Sequence, residues 1–179
     1  MKAKRNPHYL PDAAVDAARD AEIRALLTTC FTKPQDAVFQ TQRYFREPYP
    51  HRWILEDVRG NFIAHVGVHD KTVSAGGQTY RIAGIAEVCV HPAHRGQGHV
   101  RRMLRHIHRW LARRGFVFAV LFGDPKVYAS SGYAGVDNLF HDEPDPGGQT
   151  RRRQIAAMAI PLSKTPWPRG KVHLPGPVF

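Results

Sequence analysis

Apolar residues fall at Ile23, Leu26, Leu27, Cys30 and Phe31, the i, i+3, i+4, i+7, i+8 rhythm of one helix face. With Asp12 as a side-chain cap, this predicts a helix over residues 12–31. Pro34 ends the link, and a second helix is expected over residues 35–45, before Glu47-Pro48-Tyr49-Pro50 breaks the chain. From Arg52 the period becomes strand-like. Trp53-Ile54-Leu55 and the run 62–68 flank Arg59-Gly60-Asn61, a hairpin signal. Ser74-Ala75-Gly76-Gly77-Gln78 forms a second turn, leading through Tyr80-Arg81-Ile82 to the apolar strand that ends in Val88-Cys89-Val90.

His91-Pro92 stops that strand, since proline lacks an amide and disfavours helical geometry in the residue before it. Arg95-Gly96-Gln97-Gly98 follows as a loop, and Val100, Met103, Leu104, Ile107 and Leu111 then share one helix face. Gly115 ends this helix, and residues 116–122 predict another buried strand. Tyr128-Ala129-Ser130-Ser131-Gly132-Tyr133 reads as a short helix turning into a strand. Residues 141–150, rich in Asp, Pro and Gly, are expected to be a loop; residues 155–162 are a late strand; residues 166–179 are an extended tail. Residues 1–11 are expected to be an N-terminal arm. The order predicts a single α+β domain over residues 1–179, with one mixed, mostly antiparallel sheet flanked by helices.

At 179 residues and 42% hydrophobic content the chain is large enough for one core. No apolar run approaches the roughly 20 residues that span a bilayer, and no apolar segment follows the basic first residues, so a cytoplasmic protein without a membrane span is expected. Cys30 and Cys89 lie in apolar contexts and are expected to be free thiols. The net charge of +11 fits phosphate-bearing ligands, an acidic acceptor, nucleic acid or a membrane surface. Arg101, Arg102, Arg105, His108 and Arg109 sit mostly on the helix side away from the apolar stripe. Arg113-Arg114 and Arg151-Arg152-Arg153 add two further clusters. Few aromatics interleave with them, so a base-stacking platform is not indicated, and charge alone supports a nucleic-acid-binding module as a third-ranked alternative.

A buried strand, a glycine-bearing turn and a helix N-terminus together make an anion cradle, in which free amides and the helix dipole face the bound group. The loop lacks the Gly-Lys-Ser/Thr of a Walker motif and the G-x-G-x-x-G of dinucleotide folds. It resembles motif A of the GNAT superfamily of acyl-CoA N-acyltransferases, Q/R-x-x-G-x-G/A, with Arg95 and Gly98 at the first two fixed positions and Val100 where glycine or alanine is usual. Tyr128…Gly132-Tyr133 resembles motif B, Y-x-x-x-G-aromatic. The order of elements matches that family's fold.

The resemblance implies an N-acetyltransferase that uses acetyl-CoA as cosubstrate, needs no metal, and transfers acetyl to a primary amine by direct attack. Arg95, Gly96, Gln97, Gly98, His99, Val100 and Arg101 would hold the pyrophosphate, and the backbone of Val88, Cys89 and Val90 would pair with the pantetheine arm and steady the oxyanion. Tyr128 would protonate the leaving thiolate, a task suited to a phenol of reference pKa about 10; the alternative is a tyrosine packed at a helix start. Glu87, a carboxylate within the apolar run Ile85-Ala86-Glu87-Val88, is the candidate base, directly or through a water; the alternative is a strand-edge carboxylate paired with an arginine. Some GNAT subgroups place this glutamate one residue earlier, at Ala86 here, and a slip of one in a strand changes faces.

His65, His91 and His94 are further base candidates, but most of the 11 histidines are expected to be exposed, and no pair has metal-ligand spacing. Cys89 between two valines reads as core, not as a nucleophile. Arg95-Gly96-Gln97…Val100 and Val127 to Tyr133 are similar to aminoglycoside 2′-N-acetyltransferases. The tail from Trp167 to Pro177 is similar to nodulation N-acyltransferases, which would imply a longer acyl chain. Asp142, Glu143 and Asp145 would give an acidic acceptor cleft or form a polar loop. A GNAT-shaped acyl-CoA-binding protein without turnover is the remaining alternative. The acceptor and the oligomeric state, for which a dimer is compatible, are not encoded in any motif.

Overall fold

The computed structural model describes residues 6–145 and 147–179, and in it helix α1 (Ala17–Cys30) begins later than its apolar period predicts. Asp16, not Asp12, is the cap: its carboxylate accepts from the Arg19 amide at 2.8 Å. Residues 12–14 form a separate 3-10 turn, which frees Asp12 for another task. The expected second helix is a 3-10 segment, Pro34–Gln40, opened by Pro34 and capped by Asp36 accepting from Lys33 N at 2.9 Å. Residues 1–5 of the expected arm lie outside the described residues.

The chain divides into two compact units, Met1–His69 with Ile85–Ile107, and Asp70–Gly84 with His108–Phe179. In the first unit, β1 (His8–Tyr9) pairs antiparallel with β2 (His51–Glu56), which pairs antiparallel with β3 (Phe62–Ala75), placing Ile54 opposite His65. The predicted hairpin turn is held by Asp57, whose Oδ1 accepts from the amides of Arg59 and Asn61 at 2.7 and 2.9 Å. α1 buries Ile23, Leu26 and Leu27 against Leu10, Phe39, Ile54 and Cys89. Cys89 lies on β4 (Gln78–Val90), and both cysteines are free thiols, Cys89 buried and Cys30 half-buried.

In the second unit, β4 pairs parallel with β5 (Phe118–Leu121) only over Ile82–Gly84. β5 pairs antiparallel with β7 (Thr150–Pro161), and β7 with β6 (Ala134–Pro144). The hairpin β6–β7 therefore extends into residues expected to be a loop, because Asp142 faces Arg152 and Glu143 faces Arg151 across the ladder. The tail is not merely extended: β8 (Val172–Leu174) pairs parallel with β6 and meets β3 at Ser74. Val120, Leu139, Ala157, Val172 and Leu174 form this unit's core with Phe118, and Trp167 packs against it.

Helix α2 (His99–Ala112) buries Met103, Leu104, Ile107 and Leu111 completely, as the period predicts, while Val100 is half-buried in its first turn. No helix among the described residues is long and apolar enough to cross a membrane.

Candidate active site

The loop after β4 is built by short-range bonds. The His91 amide donates to Ile63 O at 2.8 Å, which holds the strand end. Pro92–His94 is a 3-10 turn, and the Arg95 side chain folds back so that Nε donates to Val90 O at 3.1 Å. Gly96 and Gly98 adopt φ of +74° and +70°, backbone that a side chain would strain. This geometry exposes Arg95, Gly96, Gln97 and Gly98. Among the described residues, the amides of Gly96, Gln97 and Gly98 donate to no acceptor. They run directly into the first turn of α2, where His99, Val100 and Arg101 carry amides that no preceding carbonyl in the helix can satisfy. The first unit thus brings together all the sequence-predicted anion-binding residues and, on the strand leading to them, Glu87, Val88, Cys89 and Val90.

Glu87 breaks the strand alternation. It has φ +42°, the only positive φ of a non-glycine among the described residues. Ala86 before it is buried, and Glu87 and Val88 are both half-buried, so the kink turns the Glu87 side chain out of the strand's regular faces. Its Oε1 accepts from the Phe45 amide at 3.1 Å, and Oε2 is buried with no hydrogen-bond partner. Burial pushes the Glu87 carboxyl up to about 7, with the Phe45 N–H, the nearby Tyr49 hydroxyl and the Arg52 charge pulling the other way. Among the described residues no guanidinium hydrogen-bonds to Glu87, and the Arg52 charge acts on it without a bond.

A cluster beneath Glu87 went unassigned in the sequence. His65, fully buried, has Nδ1 2.8 Å from the Glu87 backbone oxygen and Nε2 3.1 Å from Arg52 Nε. Arg52, also fully buried, donates from Nη1 to Asp12 Oδ1 at 3.0 Å. Asp12 in turn takes a two-pronged bond from Arg43, at 2.8 Å on each oxygen. Tyr49, 1% exposed, donates its hydroxyl to Arg43 O at 3.0 Å and stacks under the Arg52 guanidinium. Burial and the Arg52 charge pull the His65 imidazole down to about 3, which makes it a weak proton acceptor near neutral pH. The signal was available: Arg52 and His65 each interrupt an apolar strand, as Glu87 does.

The expectation that most histidines are exposed fails. Only His8 and His106 are exposed; His65, His69 and His141 are buried. His108, expected on the charged face, is turned inward by a partner.

That partner is Tyr133, in the second unit. His108 Nε2 lies 2.9 Å from the Tyr133 hydroxyl, and burial pulls His108 down to about 4 and raises Tyr133. Tyr128 ends the short helix α3 (Pro125–Tyr128), which Asp124 caps by accepting from Lys126 N at 2.8 Å. The Tyr128 ring meets Tyr133 edge-on at 6.2 Å and is half-exposed. Gly132, at φ +93°, makes the turn between them. The ring thus packs partly, at the end of a short helix and not at its start, and keeps part of its surface accessible.

Asp142, Glu143 and Asp145 do not form a free acidic cleft. Arg152, Arg153 and Arg151 pair with them at 3.3, 3.0 and 2.8 Å respectively. Other cationic groups are also engaged: Arg81 binds Asp70 at 2.6 Å and covers the Phe116 ring, and Arg114 lies 3.7 Å above the Trp110 ring. These pairings organise individual arginines, while the excess of 26 Lys and Arg over 15 Asp and Glu remains.

No curated protein sequence matches the chain significantly. The fold is shared with the GNAT N-acetyltransferase YhbS from Escherichia coli, solved with CoA (TM-score 0.66, 19% identity, covering 94% of this chain and 89% of that one). It is shared with a GNAT acetyltransferase from Brucella melitensis, solved with acetyl-CoA (0.59, 18%, 93% and 94%). A third likeness is to the ribosomal-protein-S18-alanine N-acetyltransferase of Escherichia coli (0.53, 17%, 89% and 96%). Residues 15–136 match the acetyltransferase (GNAT) domain family, the greater part of the chain, and the protein therefore belongs to the GNAT N-acetyltransferases.

Proposed function

We propose that the chain transfers the acetyl group of acetyl-CoA to a primary amine, with Glu87 as base and Tyr128 as acid. The observation that carries this is the Glu87 carboxyl, kinked out of the strand, raised to about 7 and with no hydrogen bond on its buried Oε2. A carboxylate in that state can take a proton from an alkylammonium, directly or through a water, and restore the lone pair that attacks the thioester. The new N–C bond forms as the carbonyl π electrons move to oxygen. On collapse the C–S bond breaks, the thiolate takes the Tyr128 hydroxyl proton, and the extra proton still on the attacking nitrogen passes through solvent to the tyrosinate, which leaves a neutral amide, free CoA thiol and a restored Tyr128. The amides of Gly96, Gln97, Gly98 and His99, with Arg95 and Arg101 beside them and Val100 in the same helical turn, are the proposed cradle for the CoA pyrophosphate. The backbone of Val88, Cys89 and Val90 is the proposed partner of the pantetheine arm. The free thiols Cys30 and Cys89 fit a reducing compartment such as the cytoplasm.

The test is calorimetric titration with acetyl-CoA, followed by thiol release from acetyl-CoA in the presence of ethanolamine, spermidine, glucosamine, tryptamine or a peptide with a free N-terminus. Tight binding, with turnover that falls on Tyr128→Phe and Glu87→Gln while acetyl-CoA affinity holds, is the expected result. Absence of acetyl-CoA binding would overturn it.

A further inference from the structure

We propose that His65 is a positioning residue: its Nδ1–H clamps the Glu87 carbonyl and so fixes the left-handed backbone that presents the Glu87 carboxyl. This rests on the assignment of Glu87 as the base. The geometry is directional at each link. Glu87 O can only accept, so at 2.8 Å the His65 proton is on Nδ1. Nε2 is then bare, and it accepts from Arg52 Nε at 3.1 Å. Arg52 can only donate, and its Nη1 is held by Asp12, which Arg43 grips from the other side. Every donor–acceptor assignment follows from the last, so the imidazole has one tautomer and one orientation.

The clamp acts where the backbone is strained. A non-glycine residue at φ +42° is a costly conformation that persists only when its surroundings hold it. On Glu87 itself, His65 holds the backbone oxygen and the Phe45 amide holds Oε1. Released from His65, the backbone can relax to an ordinary strand angle. The side chain then turns back towards a regular face, leaving the Phe45 amide. The residue that fixes the reacting oxygen is thus one that touches neither substrate nor carboxylate. The other charged or titratable groups acting on Glu87 are Tyr49, Arg52 and, on its own strand, Cys89. None of these bonds its backbone oxygen.

The experiment uses the full chain labelled with 13C-carboxyl glutamate and 15N histidine. Glu87→Gln identifies the Glu87 carboxyl signal. His65→Phe keeps a ring but removes both nitrogens, and His65→Asn keeps a donor where Nδ1 lies. In wild type His65 is expected to be the Nδ1–H tautomer. In His65→Phe the Glu87 titration moves towards the ordinary carboxylate range. With the fastest amine of the panel, kcat then falls about 10- to 100-fold while KM for acetyl-CoA changes less than about twofold, and His65→Asn restores both. An Nε2–H tautomer in wild type overturns the proposal, whether or not the variants fold. So does an unchanged Glu87 titration in a folded His65→Phe. Undiminished transfer by Glu87→Gln would instead remove Glu87 as base, and the tautomer and titration would still decide whether the clamp exists.

Discussion

The Tyr128 ring lies against the backbone of Gly123, so closely that a Cβ there would stand 2.5 Å from Tyr128 Cε2. The glycine lies two residues beyond β5, and its bare Cα lets the half-exposed ring come this close before Gly132 turns the chain. Gly123→Ala is expected to push the ring aside. If Tyr128 protonates the thiolate, kcat should fall about 10- to 100-fold with acetyl-CoA affinity unchanged, approaching the loss in Tyr128→Phe. The two changes together should cost little more than one alone, because both remove the same hydroxyl from its place. Steady-state kinetics and calorimetry on the three variants check this, and full activity in Gly123→Ala would free Tyr128 of the role.

Gly98 offers a separate handle on cosubstrate binding. At φ +70° an alanine is strained, by about 1–2 kcal/mol, but nothing crowds its Cβ within 4 Å. The protein should fold with a modestly lowered Tm, while its Kd for acetyl-CoA rises about tenfold or more as the Gly96–Gly98 amides swing out of line. Gly60→Ala is the matched control: φ +89°, open space, and a place in the β2–β3 turn. It should lower Tm similarly and leave the acetyl-CoA Kd alone. Equal Kd values for the two variants would argue against the loop as the cradle.

The loop, its flanking strand and α2 were legible because local chemistry dictates them: proline ends a strand, glycines turn, and four apolar residues at helical spacing must face a core. Residues 35–45 misled because Gln35, Asp36 and Ala37 are compatible with either helix type, while Pro34 and Asp36 favour a tight 3-10 start. Asp12 looked like a cap because a short acidic residue before an apolar period usually is one. Its use as the partner of Arg43 and Arg52 depends on contacts 31 and 40 residues away, which no local pattern reports. The same holds for Asp142 and Glu143: as a stretch they read as loop, and only the β6–β7 register supplies the arginines that make them strand. Glu87 was legible as an anomaly in an apolar run. The kink that sets its face was not, because a positive φ in a non-glycine is imposed by tertiary bonds.

Stability should fall on acidification. His65 and His108 have folded-state values of about 3 and about 4, below the ordinary 6.5, so each contributes stability that is full above 6.5 and lost as pH falls through the folded value. Glu87 has the opposite sign: raised from 4.5 to about 7, it favours the fold at low pH and loses that contribution as pH rises through 7. Between pH 6.5 and 4.5 the two histidines outweigh the one carboxyl, for a net loss of about 1.4 kcal/mol per pH unit. Below 4.5 Glu87 no longer offsets them and the slope steepens. Chemical unfolding at half-unit steps from pH 7 to 4 measures this. His108→Gln should flatten the curve between 6.5 and 4, and an unaltered slope would mean that His108 is already protonated in the folded state.

Asn138 ties the chain's last segment to the sheet. It sits where the β6–β7 register shifts between Val136 and Leu139, and this irregularity leaves its amide free to turn outward from the ladder. Its Oδ1 accepts from Trp167 Nε1 at 2.8 Å, and Nδ2 donates to Pro168 O at 2.8 Å and Gly170 O at 2.6 Å. The Trp167 ring then meets Phe118 edge-on at 5.0 Å, over the core that β8 completes with Val172 and Leu174. One amide thus satisfies three backbone and side-chain groups that a proline-rich segment cannot pair by itself. Asn138→Leu should leave all three without partners and cost about 2–3 kcal/mol, a Tm drop of about 4–12 °C for a chain of this length. Trp167→Phe loses the indole bond and part of the packing, for about 1–2 kcal/mol. Because the two residues share a bond, the double variant should be less destabilised than the sum. Strict additivity would show that Trp167 is held by Phe118 alone.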